Sequence, residues 1–186
     1  PTTSVSLAAY YIIATSEAST NLARYCGLRY GLHLELEGNF NEYFSAVRTE
    51  GFGEEAKRRI ILGTFARMSG YRDQFYTKAQ QVRTLVINDF KKVFSKFDVI
   101  AAPTMPILAP KLTEIKKLTP AQNYQMDILT VAPNLAGVPM LSMPCGFAKK
   151  LPVGLHLIAD HMNEHKLIEI AGVLEKEFKE EDVEEK

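Results

Sequence analysis

An α/β fold, with α+β as the neighbouring class, is predicted by two patterns in this sequence. Long stretches carry apolar residues at steps of three or four, the mark of helices with one buried face. Between them lie short apolar runs, nearly continuous rather than alternating, which suit strands of a sheet covered on both faces. With 186 residues, 46% of them hydrophobic, the chain can bury one good core, so a single domain is expected.

The elements follow in order. "AAYYIIA" (8–14) is short, apolar and partly β-branched, and reads as a buried strand. "TSEASTNLARY" (15–25) offers several N-capping residues and predicts a short helix. "EGFGEEAKRRIILGTFARMSG" (50–70) predicts a firmer one, with Glu54 and Glu55 in its first turn and Gly70 as its stop. Phe75, Ala79, Val82, Val86, Phe90, Val93 and Phe97 then form one stripe, which predicts a long amphipathic helix over 71–97. "DVIAAPT" reads as a strand ended by Pro103, residues 106–120 as a loop, and 124–131 as a helix. "PMLSMPCGF" and "PVGLHLIA", separated by "AKKL", have the spacing of neighbouring strands. A terminal helix carries Leu167, Ile170, Ala171, Leu174 and Phe178 on one face, and "KEEDVEEK" is a charged tail expected to be solvated or frayed. Three or four strands make a small sheet to be buried on two faces, so the fold reads as incomplete. The opening "PTTSVSLAAYYIIA", without a methionine, fits processing or a cut through a larger domain.

Bulk composition removes several functions. Lys plus Arg number 22 and Asp plus Glu 22, so no overall basic field exists to hold nucleic acid without help from another subunit. Cys26 and Cys145 form no CxxC or Cys/His cluster, which favours a reduced, cytoplasmic protein, with one disulfide left open. No apolar run approaches the roughly 20 residues of a membrane span, so no membrane partner is expected.

Few residues carry obvious chemistry. A nucleophilic Cys145 needs a base or a positive environment, and no histidine is near it in sequence; a small buried residue at a strand end is the favoured reading. His161 and His165 have i,i+4 spacing but no local third ligand, which favours surface histidines over a metal pair. Ser142 lies in no Gly-x-Ser-x-Gly elbow. Lys57, Arg58 and Arg59 are consecutive on a predicted helix, where neighbours point about 100° apart, so one can turn inward while the others meet water. Asp127 is a lone acid among apolar residues, fit for a helix cap. An inward arginine and an inward aspartate together match the carboxylate and ammonium of an α-amino acid.

The blocks "YYIIATSEASTNLARY", "RTEGFGEEAKRRIILGTF", "YTKAQQVRTLVINDF", "DVIAAPTMP" and "APNLAGVPMLSMPCGF…LPVGLHLI" occur in this order. Together they resemble the C-terminal part of the A subunits of glutamyl-tRNA(Gln)/aspartyl-tRNA(Asn) amidotransferases, within the amidase-signature family. The resemblance implies that residues 1–186 are the C-terminal portion of one amidase-signature domain, α/β with a mixed β-sheet covered by helices on both faces. It implies hydrolysis of glutamine by a Ser–cis-Ser–Lys triad that lies upstream of this chain, so no catalytic residue is expected here and the chain alone should be inactive. By motif position, Arg59 matches the arginine that holds the glutamine α-carboxylate, Asp127 the acid that holds the α-ammonium, and Tyr10 a tyrosine lining the same pocket. Subunits B and C are the implied partners; tRNA contacts fall mainly to a partner, which also binds ATP and Mg²⁺, while this chain binds no cofactor. Cys26 and His156 depart from the family pattern, which usually has an acid and a glutamine there. A generic amidase acting on other small carboxamides and a non-catalytic half-domain binding module are the competing readings, and an exposed strand edge or apolar face would suit a homodimer.

Overall fold

The computed structural model describes residues 2–35 and 37–184. These form two compact units: residues 11–81, and residues 1–10 together with 82–186. Their boundaries fall inside two helices, between Tyr10 and Tyr11 and between Gln81 and Val82.

The first helix, α1 (Thr3–Asn21), is the main departure from the sequence reading. "AAYYIIA" is helical, not a strand, and the expected short helix after it is the continuation of the same 19-residue element. The hydroxyls bond within the helix. Ser6 Oγ donates to Thr2 O, Thr15 Oγ1 to Tyr11 O and Ser16 Oγ to Ile12 O, each one turn back along the helix. Residues that read as caps thus satisfy themselves inside the helix, although bonding of this kind is usually neutral or weakly unfavourable.

In the unit of residues 11–81, α1 ends in a 3₁₀ turn (Leu22–Arg24), and α2 (Phe40–Gly51) and α3 (Glu54–Arg67) follow. A capping box starts α2: Asn39 accepts from the backbone of Asn41 and Glu42, and the Glu42 carboxylate returns to the Asn39 N–H. The connection before it is tied down by Tyr43, whose hydroxyl donates to Gly27 O at 2.9 Å, and by Arg48, which donates to Leu22 O at 2.9 Å. Gly63 is the close-contact residue of α3. A Cβ there would lie 1.9 Å from Thr15 O and 2.9 Å from Ser16 N, so α3 meets the α1 backbone at this point. Helix α3 ends at Arg67, three residues before the expected stop; Gly70, with φ of 89°, belongs to the turn that follows.

A π-helical turn (Asp73–Thr77) leads into α4 (Lys78–Phe94), so the long helix is real but shorter than its stripe. Ala79 and Val86 are buried, whereas Phe97 lies beyond the helix end and is exposed.

In the second unit, β1 (Val99–Pro103), β2 (Met140–Ala148) and β3 (Leu151–Ala159) pair antiparallel in the order β1-β3-β2. Where a mixed sheet is the expectation, these three strands pair only antiparallel; the tight connection of β2 to β3 requires it of that pair. Lys149 and Lys150 make that connection with φ of 52° and 66°, the left-handed pair that a two-residue hairpin demands. His156, Leu157, Ile158 and Ala159 are all buried, so the central strand is covered on both faces, as its continuous apolar run implies. On one face α8 (Glu164–Glu184) packs: Met143, Leu157, Ala159 and Leu167 form the core, flanked by Ile170, Ala171, Leu174 and Phe178. Between Pro144 and Phe147 the register of β2 shifts in a bulge, which accommodates "PCG" within a strand. The 106–120 segment holds only the short α5 (Leu112–Ile115), and the 124–131 prediction resolves into α6 (Pro120–Gln125), a turn, and α7 (Val131–Ala136). Residues 185–186 of the charged tail lie outside the described residues. No helix among the described residues is long and apolar enough to cross a membrane.

Candidate functional site

Gly53 is the N-cap of α3, and the first turn carries Glu54 and Glu55, where negative charge meets the positive end of the helix dipole. Glu55 then serves as the partner of two arginines. Arg59 Nε–H donates to Glu55 Oε1 at 2.9 Å, and Arg58 Nη1 pairs with Glu55 Oε2. Lys57 turns away to donate to Thr49 O at 2.7 Å. Lys57 thus parts from the two arginines, whose long side chains converge on Glu55 from positions about 100° apart on the helix. Arg59 is half-buried, and its guanidinium carbon lies 5.8 Å from the centre of the Tyr11 ring on α1, within cation–π range. The Arg59 side chain is thus guided from two directions, by a carboxylate on its own helix and by an aromatic face.

Tyr10 and Asp127 belong to the other unit. Tyr10 is half-buried on α1. Asp127 is half-buried in the turn between α6 and α7, and its backbone carbonyl accepts from Thr130 N at 2.9 Å, Val131 N at 3.0 Å and Thr130 Oγ1 at 3.0 Å. The N-cap residue of α7, Thr130, makes no side-chain cap bond to that helix. Sequence reasoning missed Glu55 and Tyr11. A glutamate four residues before Arg59 is a legible signal, the i,i+4 ion pair; nothing in the order of residues marks Tyr11.

The other candidates have structural surroundings. Cys145 sits in the β2 bulge, half-buried, with Sγ 3.5 Å from Val153 O. Both cysteines are free thiols, so the disulfide left open by the sequence is not formed. Ser142 Oγ is 2.6 Å from Thr104 Oγ1, and Gly154 makes room for this hydroxyl pair, since a Cβ there would come within 2.8 Å of Thr104 Oγ1. His161 precedes α8 while His165 lies within it, so their spacing is not that of one helix face. The His161 ring reaches Ala136 O at 3.1 Å and the Asp160 carboxylate at 3.2 Å. His156 occupies the central strand opposite Ala102 and Ser142; its Nδ1 is buried without a hydrogen-bond partner among the described residues, and burial pushes its pKa below the ordinary 6.5. Among the described residues no group of three or more His, Cys, Asp or Glu is placed to hold a metal ion.

Comparison with known proteins places this geometry in context. The family model described as Amidase matches residues 1–168. A curated relative from Archaeoglobus fulgidus, named as the A subunit of a glutamyl-tRNA(Gln) amidotransferase, is 54% identical over 168 residues, covering 90% of this chain but 36% of the relative. Among solved structures, the A subunit of the glutamyl-tRNA(Gln) amidotransferase from Thermotoga maritima aligns with a TM-score of 0.58 at 37% identity, over 87% of this chain and 30% of that one. A 6-aminohexanoate cyclic dimer hydrolase aligns with a TM-score of 0.64 at 16% identity, over 93% of this chain and 35% of that one, a likeness of fold alone. The chain spans about a third of the length of the proteins it matches.

Proposed function

Because this chain belongs to the amidase family, whose model matches residues 1–168, we propose that it is part of the glutamine-hydrolysing component of a tRNA-dependent amidotransferase. In this reading the complete protein releases ammonia from glutamine for the conversion of Glu-tRNA(Gln), Asp-tRNA(Asn) or both to the amidated forms. The nucleophile and its activating groups lie in chain beyond these residues, and the present chain contributes recognition of the amino acid. Arg59 takes the glutamine α-carboxylate, Asp127 the α-ammonium, and Tyr10 lines the pocket. Subunits B and C complete the assembly in the cytoplasm, with tRNA, ATP and Mg²⁺ handled mainly by the partner.

The observation that carries the reading is the state of Arg59. A guanidinium that is half-buried, held at Nε by Glu55 and set over an aromatic ring is oriented before any ligand arrives. Preorganisation of that kind is what a carboxylate-gripping arginine needs. The relatives named as amidotransferase subunits support the substrate class.

Ammonia release from glutamine tests the proposal. The complete protein with its partner subunits should hydrolyse glutamine, and residues 1–186 alone should not. Turnover by the isolated 186-residue chain would overturn the division of labour. Turnover of simple carboxamides by the complete protein, with glutamine ignored, would favour a generic amidase.

A further inference from the structure

The geometry points to a second amino-acid site in the unit of residues 11–81, at the C-terminal ends of α1 and α3. A pocket of about 410 Å³ opens there, in the lower range for small-ligand sites. Arg67 ends α3, Arg72 comes from the turn that follows, and Glu17 reaches in from α1. None of these three side chains forms an ion pair or hydrogen bond among the described residues, although all three line one pocket.

The neutral groups divide into two walls. On α1, the Ser16 hydroxyl already gives its proton to Ile12 O at 2.6 Å, and Thr20 gives its own to Ser16 O at 3.4 Å. Ser16 is fully buried, so Thr20 Oγ1 is the hydroxyl that offers the pocket lone pairs, beside the Glu17 carboxylate and the Asn21 amide. Opposite, Tyr76 Oη accepts from Gln80 Nε2 at 3.1 Å, which leaves the phenolic hydrogen to donate beside the two guanidiniums. One wall carries the carboxylate and the other the two guanidiniums.

A plain oxyanion suits only the donor wall. It would face Glu17 across the pocket, and it would sit at the negative ends of two helix dipoles. A zwitterion uses both walls: its carboxylate meets Arg67, Arg72 and Tyr76, and its ammonium meets Glu17, the Thr20 oxygen and the helix ends. The chemical class is a small α-amino acid. Arg67 lies eight residues beyond Arg59, about 12 Å along the helix at 1.5 Å per residue, and the Gly63–Thr15 contact intervenes. This site is therefore distinct from the one proposed around Arg59 and does not rest on it.

Calorimetric titration of the complete protein carrying Arg59→Ala, with L-glutamate and L-glutamine as probes, tests the inference. Saturable binding should persist. It should weaken at least tenfold when Arg67→Met and Arg72→Gln are added. Glu17→Gln should weaken L-glutamate at least tenfold and leave glutarate, which lacks the ammonium, unchanged. Circular dichroism checks that each variant is folded, and all three substitutions are of exposed residues. Absence of saturable binding in the Arg59→Ala protein overturns the second site and leaves the Arg59 proposal standing. Binding that ignores the Arg67, Arg72 and Glu17 substitutions, or glutarate binding as tightly as glutamate, also overturns it.

Discussion

Gly63 in α3 and Gly172 in α8 are both helical glycines, one in each unit of the molecule, yet they have opposite surroundings. A Cβ at Gly63 would sit 1.9 Å from the Thr15 carbonyl oxygen, whereas a Cβ at Gly172 would meet nothing within 4 Å. In the unit of residues 11–81, α1 and α3 meet by backbone approach: Thr15 and Ser16 lie on α1 where a glycine lets α3 come against it. The sheet-bearing unit is held by layered apolar side chains, with Leu157, Ala159 and Leu167 sealed between β3 and α8. Backbone contact fixes side-chain directions closely, and the charged groups proposed for Arg59 and for the Glu17–Arg72 pocket lie in the unit built that way.

The largest expected effect comes from closing the gap that backbone contact needs. Gly63→Val should destabilise by about 4 kcal/mol, beyond the usual cost of overpacking, because the clashing atom is a backbone oxygen that cannot rotate away. Chemical denaturation measures it, and a loss under about 1 kcal/mol would show that the two helices part freely. Next, Leu157→Ala should cost about 3 kcal/mol, within the range for buried leucines, if the sheet unit is stabilised by its apolar layer.

A smaller effect separates His156 from the surface carboxylates. Burial lowers its folded pKa below the 6.5 of the exposed ring. The unfolded state then binds more protons as pH falls below about 6.5, so the associated stability is present above that value and is lost as pH drops through the folded pKa. His156→Gln should flatten the stability profile in this window. The losses from Asp89, Asp98 and Asp160, whose pKa values are held down by Thr2, Lys166 and the His161 N–H respectively, fall below 3.8 and should remain. An unchanged slope between pH 5 and 7 in the variant would remove His156 as its cause. The smallest effect is a gain: Gly172→Ala should stabilise by about 0.5–1 kcal/mol, since it adds helix propensity and meets no neighbour.

The same contrast governs what the sequence reveals. The hairpin of β2 and β3, strand β1 and the buried face of α8 are all legible, because apolar periodicity records which side chains meet a layer. Helix α1 is not. Its apolar run matches a strand, and its Ser and Thr residues match caps, since hydrogen bonds from Thr15 and Ser16 to carbonyls one turn back leave no mark in the order of residues. The stripe of α4 overshoots to Phe97 because periodicity does not register where the helix breaks. For the site, composition and spacing reach only the statement that one of three basic residues turns inward. The choice of Arg59, and its association with Asp127 and Tyr10, comes from the resemblance. Glu55 was readable as the residue four before Arg59, while Tyr11 and the pocket at the end of α1 and α3 depend on how the helices meet.

Steady-state kinetics of glutamine hydrolysis by the complete protein, comparing Arg59→Ala with the unaltered enzyme, bears most directly on the claim that this chain grips the amino acid. Removing one partner of a charge pair that glutamine would bury costs about 2 kcal/mol at the low end of the range for such pairs, so KM for glutamine should rise about 30-fold while kcat changes by only a few-fold. A KM that stays within twofold of the original would contradict the account.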